Sequence, residues 1–353
     1  MTNQPQTPRA AARPPADPWA ATPVADPWAP AEPGSPLVLG SPNEPGSPNG
    51  LGSPNGVGSP LEGDRRRLAA ASDSRGGLAR VLRALFTADR TPEVMAERAA
   101  QAQAPVATGR RIAVVSTRGG AGKTTVAALL GRLFSAVRPD TIAVLDLDPG
   151  HGSLGLRLGT DAAPAIDDLV DRTTGGTLPT ASELSGMLGH AAPNLFATGP
   201  RARERAAGAA ALREACSAVS RYFPVTLLDC PTGFEAPATQ AALADCHAAV
   251  FAVPATLSGL DDALAQLARW RRDPRLAPIP LVVVVMQQDR ASALGAPQQA
   301  ARLARLGFDA YALGYDRHLA AGADVALPRL APRHRVTAAT IAAKALELAN
   351  GRR

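Results

Sequence analysis

The chain has 353 residues, a formal net charge of +6 and a pI near 9.9; 46% of its residues are hydrophobic but only 4% are aromatic, so its core has to be assembled largely from Ala, Val and Leu. No run of ~18 apolar residues occurs, which argues against a transmembrane helix. The N-terminal segment lacks the apolar stretch of a signal peptide, and the three cysteines, Cys216, Cys230 and Cys246, form no CxxC pair. Such a set suits a reducing cytoplasm and carries no metal signature. The mild excess of base permits contact with nucleic acid or an anionic membrane face without requiring either.

Residues 1–63 are dense in Pro, Gly, Ser, Asn and Ala and offer too little apolar surface to build a core, so they read as a disordered tail. Ala-Asp-Pro-Trp-Ala occurs at 16–20 and again at 25–29, and Gly-Ser-Pro recurs at 34, 40, 46, 52 and 58. The six-residue repeat reads as a flexible spacer. Trp19 and Trp28, two of the three tryptophans, are candidate anchors for a protein partner, against the alternative of low-complexity drift. Residues 64–109 form a basic helical linker. Leu78, Val81, Leu82, Leu85 and Phe86 fall at helical spacing with Arg80 and Arg83 between them, which predicts a short basic amphipathic helix over 76–87. A second helix is expected over 91–103, opening on Thr-Pro-Glu. The linker reads either as solvated chain packing on the following domain or as a docking element for a membrane surface or an acidic partner.

The third unit, 110–353, opens on the apolar run 112–115, a buried strand, followed by Ser116-Thr117-Arg118-Gly119-Gly120-Ala121-Gly122-Lys123-Thr124-Thr125 and then a helical run from Val126. A glycine-rich turn between strand and helix is the setting of a phosphate loop. Gly119, Gly120 and Gly122 let successive backbone N–H groups converge on one anion, and the helix N-terminus adds its positive end. Ala121 and Thr125 complete the cradle, Lys123 supplies a mobile charge for the outer phosphates, and the Thr124 hydroxyl is a ligand for the accompanying Mg²⁺. Of the 37 basic residues only Lys123 and Lys344 are lysine, so a chain strongly biased to arginine keeps a compact ammonium at this position.

Downstream, strand and helix signals alternate, as in a mostly parallel sheet with helices on both faces. Strands are expected at 141–145, 194–198, 225–229, 247–253, 281–286 and 308–313, and helices at 165–172, 180–188, 202–222, 257–271 and 336–349. The strand at 141–145 ends in Asp146-Leu147-Asp148-Pro149, and that at 225–229 in Asp229-Cys230-Pro231-Thr232-Gly233. Acids at the carboxyl ends of strands in such a sheet lie where ligands bind. Asp229 fits a residue that holds Mg²⁺ through water.

The loop Arg-Gly-Gly-Ala-Gly-Lys-Thr-Thr resembles the deviant Walker A loop, K-G-G-x-G-K-T-T, of the ParA/MinD family of dimerising ATPases, and residues ~110–350 follow that family's motif order. The resemblance implies a phosphate-loop NTPase fold, ATP and Mg²⁺ as cofactors, and an ATP-dependent homodimer. It implies that Arg118, standing where the family has its signature lysine, reaches across the dimer to the partner's ATP. It also implies that Asp148 positions the attacking water, that Asp146 supports the Mg²⁺ shell, and that Gln287, in place of the family's Asn, and Asp316, in a loop lacking the family's proline, read the base. The Pro-rich tail, the basic helical segment and the turn Asp146-Leu147-Asp148-Pro149-Gly150-His151-Gly152-Ser153-Leu154 are further similar to actinobacterial MinD-like ATPases linked to type VII secretion (EspI-like). That likeness implies a cytoplasmic regulator, peripheral at the inner membrane face, of a secretion or polar complex. Two alternatives stand beside it. One is a DNA-partition ATPase binding non-specific duplex through arginine clusters such as Arg269/Arg271/Arg272 and Arg329/Arg333/Arg335. The other is a nucleotide-binding scaffold that does not hydrolyse.

Overall fold

The computed structural model describes residues 92–148, 152–160, 163–174, 178–199, 207–292 and 294–352. The repeat-bearing tail with Trp19 and Trp28, the helix expected over 76–87, residues 149–151 of the acidic turn and the start of the helix expected over 202–222 lie outside them.

In chain order, helix α1 (Pro92–Ala102) precedes strand β1 (Arg110–Val115), helix α2 (Lys123–Val137), β2 (Ile142–Asp146) and the single-turn helix α3 (Leu154–Leu158). Then come α4 (Ile166–Thr174), α5 (Ala181–Gly186), β3 (Gly189–Ala192), β4 (Leu195–Ala197), α6 (Ala209–Ser220), β5 (Val225–Asp229), α7 (Pro237–Asp245) and β6 (Ala248–Pro254). The chain continues through α8 (Leu257–Arg272), β7 (Leu281–Met286), α9 (Ala296–Arg305), β8 (Asp309–Leu313) and α10 (Arg317–Ala320), and ends in α11 (Pro332–Gly351). The strands form one sheet of order β3-β4-β2-β5-β1-β6-β7-β8, parallel throughout except for the β3–β4 pair.

A strand covered on both faces needs apolar side chains at every position. β6 and β7 meet that condition, β6 being buried along its whole length, as are the four consecutive valines 282–285 of β7, and β2 and β5 meet it except at Thr226 and the strand-end acids Asp146 and Asp229. Period-two alternation then divides each strand between two cores. Ile112 and Val114 of β1 join α1, α2 and α11 on one face, whereas Ala113 and Val115 join α4, α6, α7, α8 and α9 on the other. Helix α1 docks through Met95, Ala99 and Ala102, all buried in the first of these cores. The second holds most of the few aromatics, where Phe234 meets Phe251 and Trp270 edge-on at centroid distances of 5.5 and 5.8 Å. Among the described residues no helix is long and apolar enough to cross a membrane.

The topology fixes where a ligand sits. From β1 the chain crosses to β2 on one side; after β5, which pairs with β1, it passes to β6 on β1's other edge. The carboxyl end of β1 is therefore the switch point of the sheet, where parallel α/β folds open a crevice.

Candidate functional site

The crevice is lined from the backbone upward by the loop 116–122. Gly122, the N-cap of α2, sits at φ 91° with no side chain capping the helix, so the first N–H groups of α2 have no side-chain acceptor. That is the open helix terminus an anion occupies. Ser116, buried at the end of β1, closes the loop base by donating from Oγ to the Arg118 carbonyl at 2.8 Å. Gly119 and Gly120 are exposed on the rim, while Ala121 is buried beneath it.

Lys123 is buried, 8% exposed, and its Nζ donates to Thr232 Oγ1 at 2.9 Å. Thr232 lies in the turn after β5, held to the phosphate loop by the Gly233 N–H bond to the Ser116 carbonyl at 3.0 Å. Beside it, Asp229 is fully enclosed at the end of β5, hydrogen-bonded by Thr124, and its Oδ1 has no partner. Burial first, and then the neighbouring charge of Asp146, push the Asp229 carboxyl up to about 8, against pulls from Thr124 and Lys123.

Asp146, opposite Asp229 in the β2–β5 register, is buried as well. Its Oδ1 accepts from the Asp148 N–H at 3.0 Å and its Oδ2 from the Leu154 N–H at 3.4 Å, so this carboxylate braces the turn that carries Asp148. The brace explains the glycine at 152: a Cβ there would lie 2.2 Å from Asp146 Oδ2. Asp148 is half-buried and close enough for its charge to raise the Asp229 pKa.

These residues fit a divalent cation. A buried carboxylate oxygen lacking a partner, next to a threonine hydroxyl, is the oxygen donor pair that Mg²⁺ uses beside phosphates. Thr124 and Asp229 would hold the ion, with Asp146 behind them; when bound, it would offset the negative charge of the phosphates.

The raised pKa also has a consequence for stability. Between roughly pH 4 and 8 the folded protein keeps a proton on Asp229 that the unfolded chain, with a carboxylate near 3.9, has released. The stability of the nucleotide-free protein therefore falls as pH rises through that window. Asp229→Asn, neutral throughout, is expected to flatten the decline in melting temperature between pH 5 and pH 8. Equal slopes in both proteins would show that the carboxyl does not titrate there.

On the other side of the loop a cavity of about 270 Å³ is lined by Gly122, Thr125, Arg157, Gln287, Gln288 and Asp316, among others. Both sequence-selected base readers line it, but their polar atoms are engaged within the protein. Gln287 Nε2 donates to the Asp289 carbonyl at 3.2 Å, and its Oε1 accepts from Ala296 N–H at 3.5 Å. Asp316 caps α10 by accepting from His318 N–H at 2.9 Å and Leu319 N–H at 3.4 Å, and its other oxygen faces Ala331 N–H and His334 Nδ1. Its carboxyl accordingly lies below the usual range, these hydrogen bonds outweighing burial. The residue that touches the phosphate loop is Gln288, whose Nε2 donates to the Gly120 carbonyl. Thr232, Gln288 and Arg157 are the site residues that sequence reasoning passed over.

Arg118 projects from the rim. Its Nε bonds to Asp262 Oδ2 on α8, an ion pair whose side chains are 46% and 35% exposed. The guanidinium is thus held near the crevice mouth and not buried within it.

Comparison with known proteins agrees with this architecture. Two curated relatives, the ESX-1 secretion-associated protein EspI of Mycobacterium tuberculosis strains CDC 1551 and H37Rv, are each 29% identical over 240 residues, covering 63% of this chain and 34% of theirs. The chain therefore spans about a third of the length of these relatives. Among solved structures, the ParA family ATPase from Chlorobium tepidum TLS superposes with a TM-score of 0.55 at 16% identity, over 67% of this chain and 99% of that one. The MinD of the Aquifex aeolicus MinC:MinD cell division complex gives 0.51 at 18% identity, over 67% and 95%. At these identities the structural likeness speaks for the fold. The family itself is fixed by sequence: residues 112–290, half of the chain, match the CobQ/CobB/MinD/ParA nucleotide binding domain, and the chain belongs to that family.

Proposed function

We propose that the protein is a MgATP-binding and hydrolysing dimerisation switch of the ParA/MinD type. In this reading ATP closes a homodimer, hydrolysis opens it, and the switch regulates or positions a membrane-associated complex of the type VII secretion kind, or a polar one. The observation that carries the reading is the pairing of a buried Lys123 with a buried, partnerless Asp229 oxygen on either side of an uncapped helix terminus. A cation, a buried carboxyl whose proton a divalent metal would displace, and open N–H groups so close together complement a metal–triphosphate. The secretion context is supported by the similarity to EspI, with the tail around Trp19 and Trp28 as the partner-binding segment.

In the alternative reading as a DNA-partition ATPase, the α8 arginines would be free to meet phosphates. In the structure Arg269 pairs with Glu235, Arg271 with the Leu306 carbonyl and the Phe308 ring, and Arg272 with the Ala268 carbonyl, so DNA phosphates would have to exchange for these exposed contacts.

The test separates binding from turnover. Asp148→Ala leaves the phosphate cradle intact and removes the group assigned to position water, so ATP should stay bound while hydrolysis slows by about 10²-fold or more. The trapped ATP state should be dimeric by light scattering. Unchanged turnover would reduce Asp148 to a turn residue, and a wild-type protein that binds ATP without hydrolysing it would be a scaffold.

A further inference from the structure

Arg157 is the half-buried cation of the nucleotide cleft that the phosphate-loop motif does not explain. It lies on α3, just after the turn carrying Asp148, and lines the 270 Å³ cavity between Gly122 and Thr125 on the phosphate-loop side and Gln287 and Asp316 on the other. Among the described residues the guanidinium makes a single hydrogen bond, from Nη1 to the Leu319 carbonyl at 2.9 Å, and no ion pair with a carboxylate. The acid sharing its cavity, Asp316, already commits both oxygens to backbone N–H groups and His334. Burial lowers the Arg157 pKa with no opposite charge to offset it.

Two other sheltered arginines are paired, whereas Arg335, buried on α11 and likewise without an ion pair among the described residues, does not line the cavity. Arg138 is bonded to Asp140 and to two carbonyls, and Arg132 to Asp324 and two carbonyls. Removing a cation from water without an anion beside it is costly, so a cation left this way in the wall of a ligand cavity is complementary to a charge the ligand brings. The cavity begins at Gly122 and Thr125, on the far side of the loop from the outer-phosphate lysine, which is where the inner part of a nucleoside phosphate has to lie.

We infer that Arg157 is a nucleotide-binding residue whose guanidinium pairs with the nucleoside-proximal phosphate. The inference rests on the nucleotide-binding reading of this cleft and adds a residue to it. Because α3 follows the Asp148 turn directly, the same contact would tie an inner phosphate to the segment that carries the hydrolytic acid.

The experiment is isothermal titration of the full chain with ATP, ADP, AMP and adenosine in the presence of Mg²⁺, comparing wild type with Arg157→Met and Arg157→Lys. Methionine retains most of the aliphatic volume and lysine the charge. Arg157→Met should weaken all three phosphorylated ligands by a similar factor, about tenfold or more for a lost charge-assisted contact. Adenosine binding should be unchanged, and Arg157→Lys should recover part of the loss. Wild-type affinity for ATP, ADP and AMP in Arg157→Met overturns the inference, as does a loss that extends equally to adenosine, which would mean packing against the base. Should Arg157→Met melt before titration, Arg157→Gln gives the same comparison. A wild-type protein that binds none of the four ligands would instead sink the nucleotide reading of the cleft.

Discussion

Lys123→Ala is expected to lose MgATP binding by about 100-fold or more, which corresponds to about 2.7 kcal/mol. The size follows from where the ammonium sits. It is 8% exposed, bonded to Thr232, and lies close to Asp229, beside which Asp146 and Asp148 place negative charge that any phosphate group has to approach. At an exposed position one lysine contributes little to binding an anion, because water screens it. In this enclosed position it offsets both the incoming phosphates and the resident carboxylates, and alanine leaves both uncompensated. The phosphate-loop N–H groups remain, so some affinity for inner phosphates survives. Titration with ATP and AMP should accordingly show a large loss for the first and a small one for the second. Near wild-type affinity of Lys123→Ala for MgATP would remove the phosphate-loop assignment.

The sequence was most readable where physical constraints coincide. β1, the glycine loop and α2 combine an apolar run, a turn needing positive φ at Gly122 and a helix start, and each of these leaves its own mark. The strands β2, β5, β6 and β7 are legible because burial on both faces makes them nearly continuous apolar runs, interrupted by Thr226 and by the strand-end acids Asp146 and Asp229. β3 was missed for the opposite reason. Gly-His-Ala-Ala has neither β-branched residues nor alternation, and it pairs at the sheet edge through a register shift. Helices α7 and α9 also went unread, although Pro237 and Pro297 mark their first turns.

In the site, the positions of Asp146 and Asp229 at strand ends were legible, but the direction of a side chain was not. Gln287 and Gln288 are neighbours in the coil after β7 and both line the cavity, but their amides bond to different groups. The sequence singles out Gln287, whereas it is Gln288 that reaches the Gly120 carbonyl. The acid of the 315–317 turn lies beside the cavity, while its hydrogen bonds make it the cap of α10. Arg157 carries no motif at all. Its interest arises from a tertiary fact, the want of an ion-pair partner among the described residues, which no local pattern encodes.

Arg118→Ala is expected to bind ATP as a monomer and to fail at both dimerisation and hydrolysis. Two contacts compete for this side chain. The visible one is the ion pair with Asp262, and with side chains 46% and 35% exposed it is worth roughly 0–1 kcal/mol after solvent screening. The other is a charge-assisted bond to the phosphates of a partner's nucleotide, worth about 1.5–3 kcal/mol once the closed dimer has excluded water. If that dimer forms, these magnitudes favour the second contact in the presence of ATP, with Asp262 holding the guanidinium at the crevice mouth in its absence. Arg118→Lys should dimerise and turn over about as well as the original, since it keeps the charge and the reach and gives up a bidentate geometry that the Asp262 pair, made through Nε, does not use. Asp262→Ala should retain ATP-dependent dimerisation, which separates the trans contact from a structural need for the ion pair. The measurements are sedimentation with a slowly hydrolysed ATP analogue alongside turnover assays. If Arg118→Ala sediments and turns over as wild type, the arginine is a surface ion-pair partner and the switch runs on some other contact. If Asp262→Ala fails in the same way as Arg118→Ala, the pair acts within one protomer and not across two.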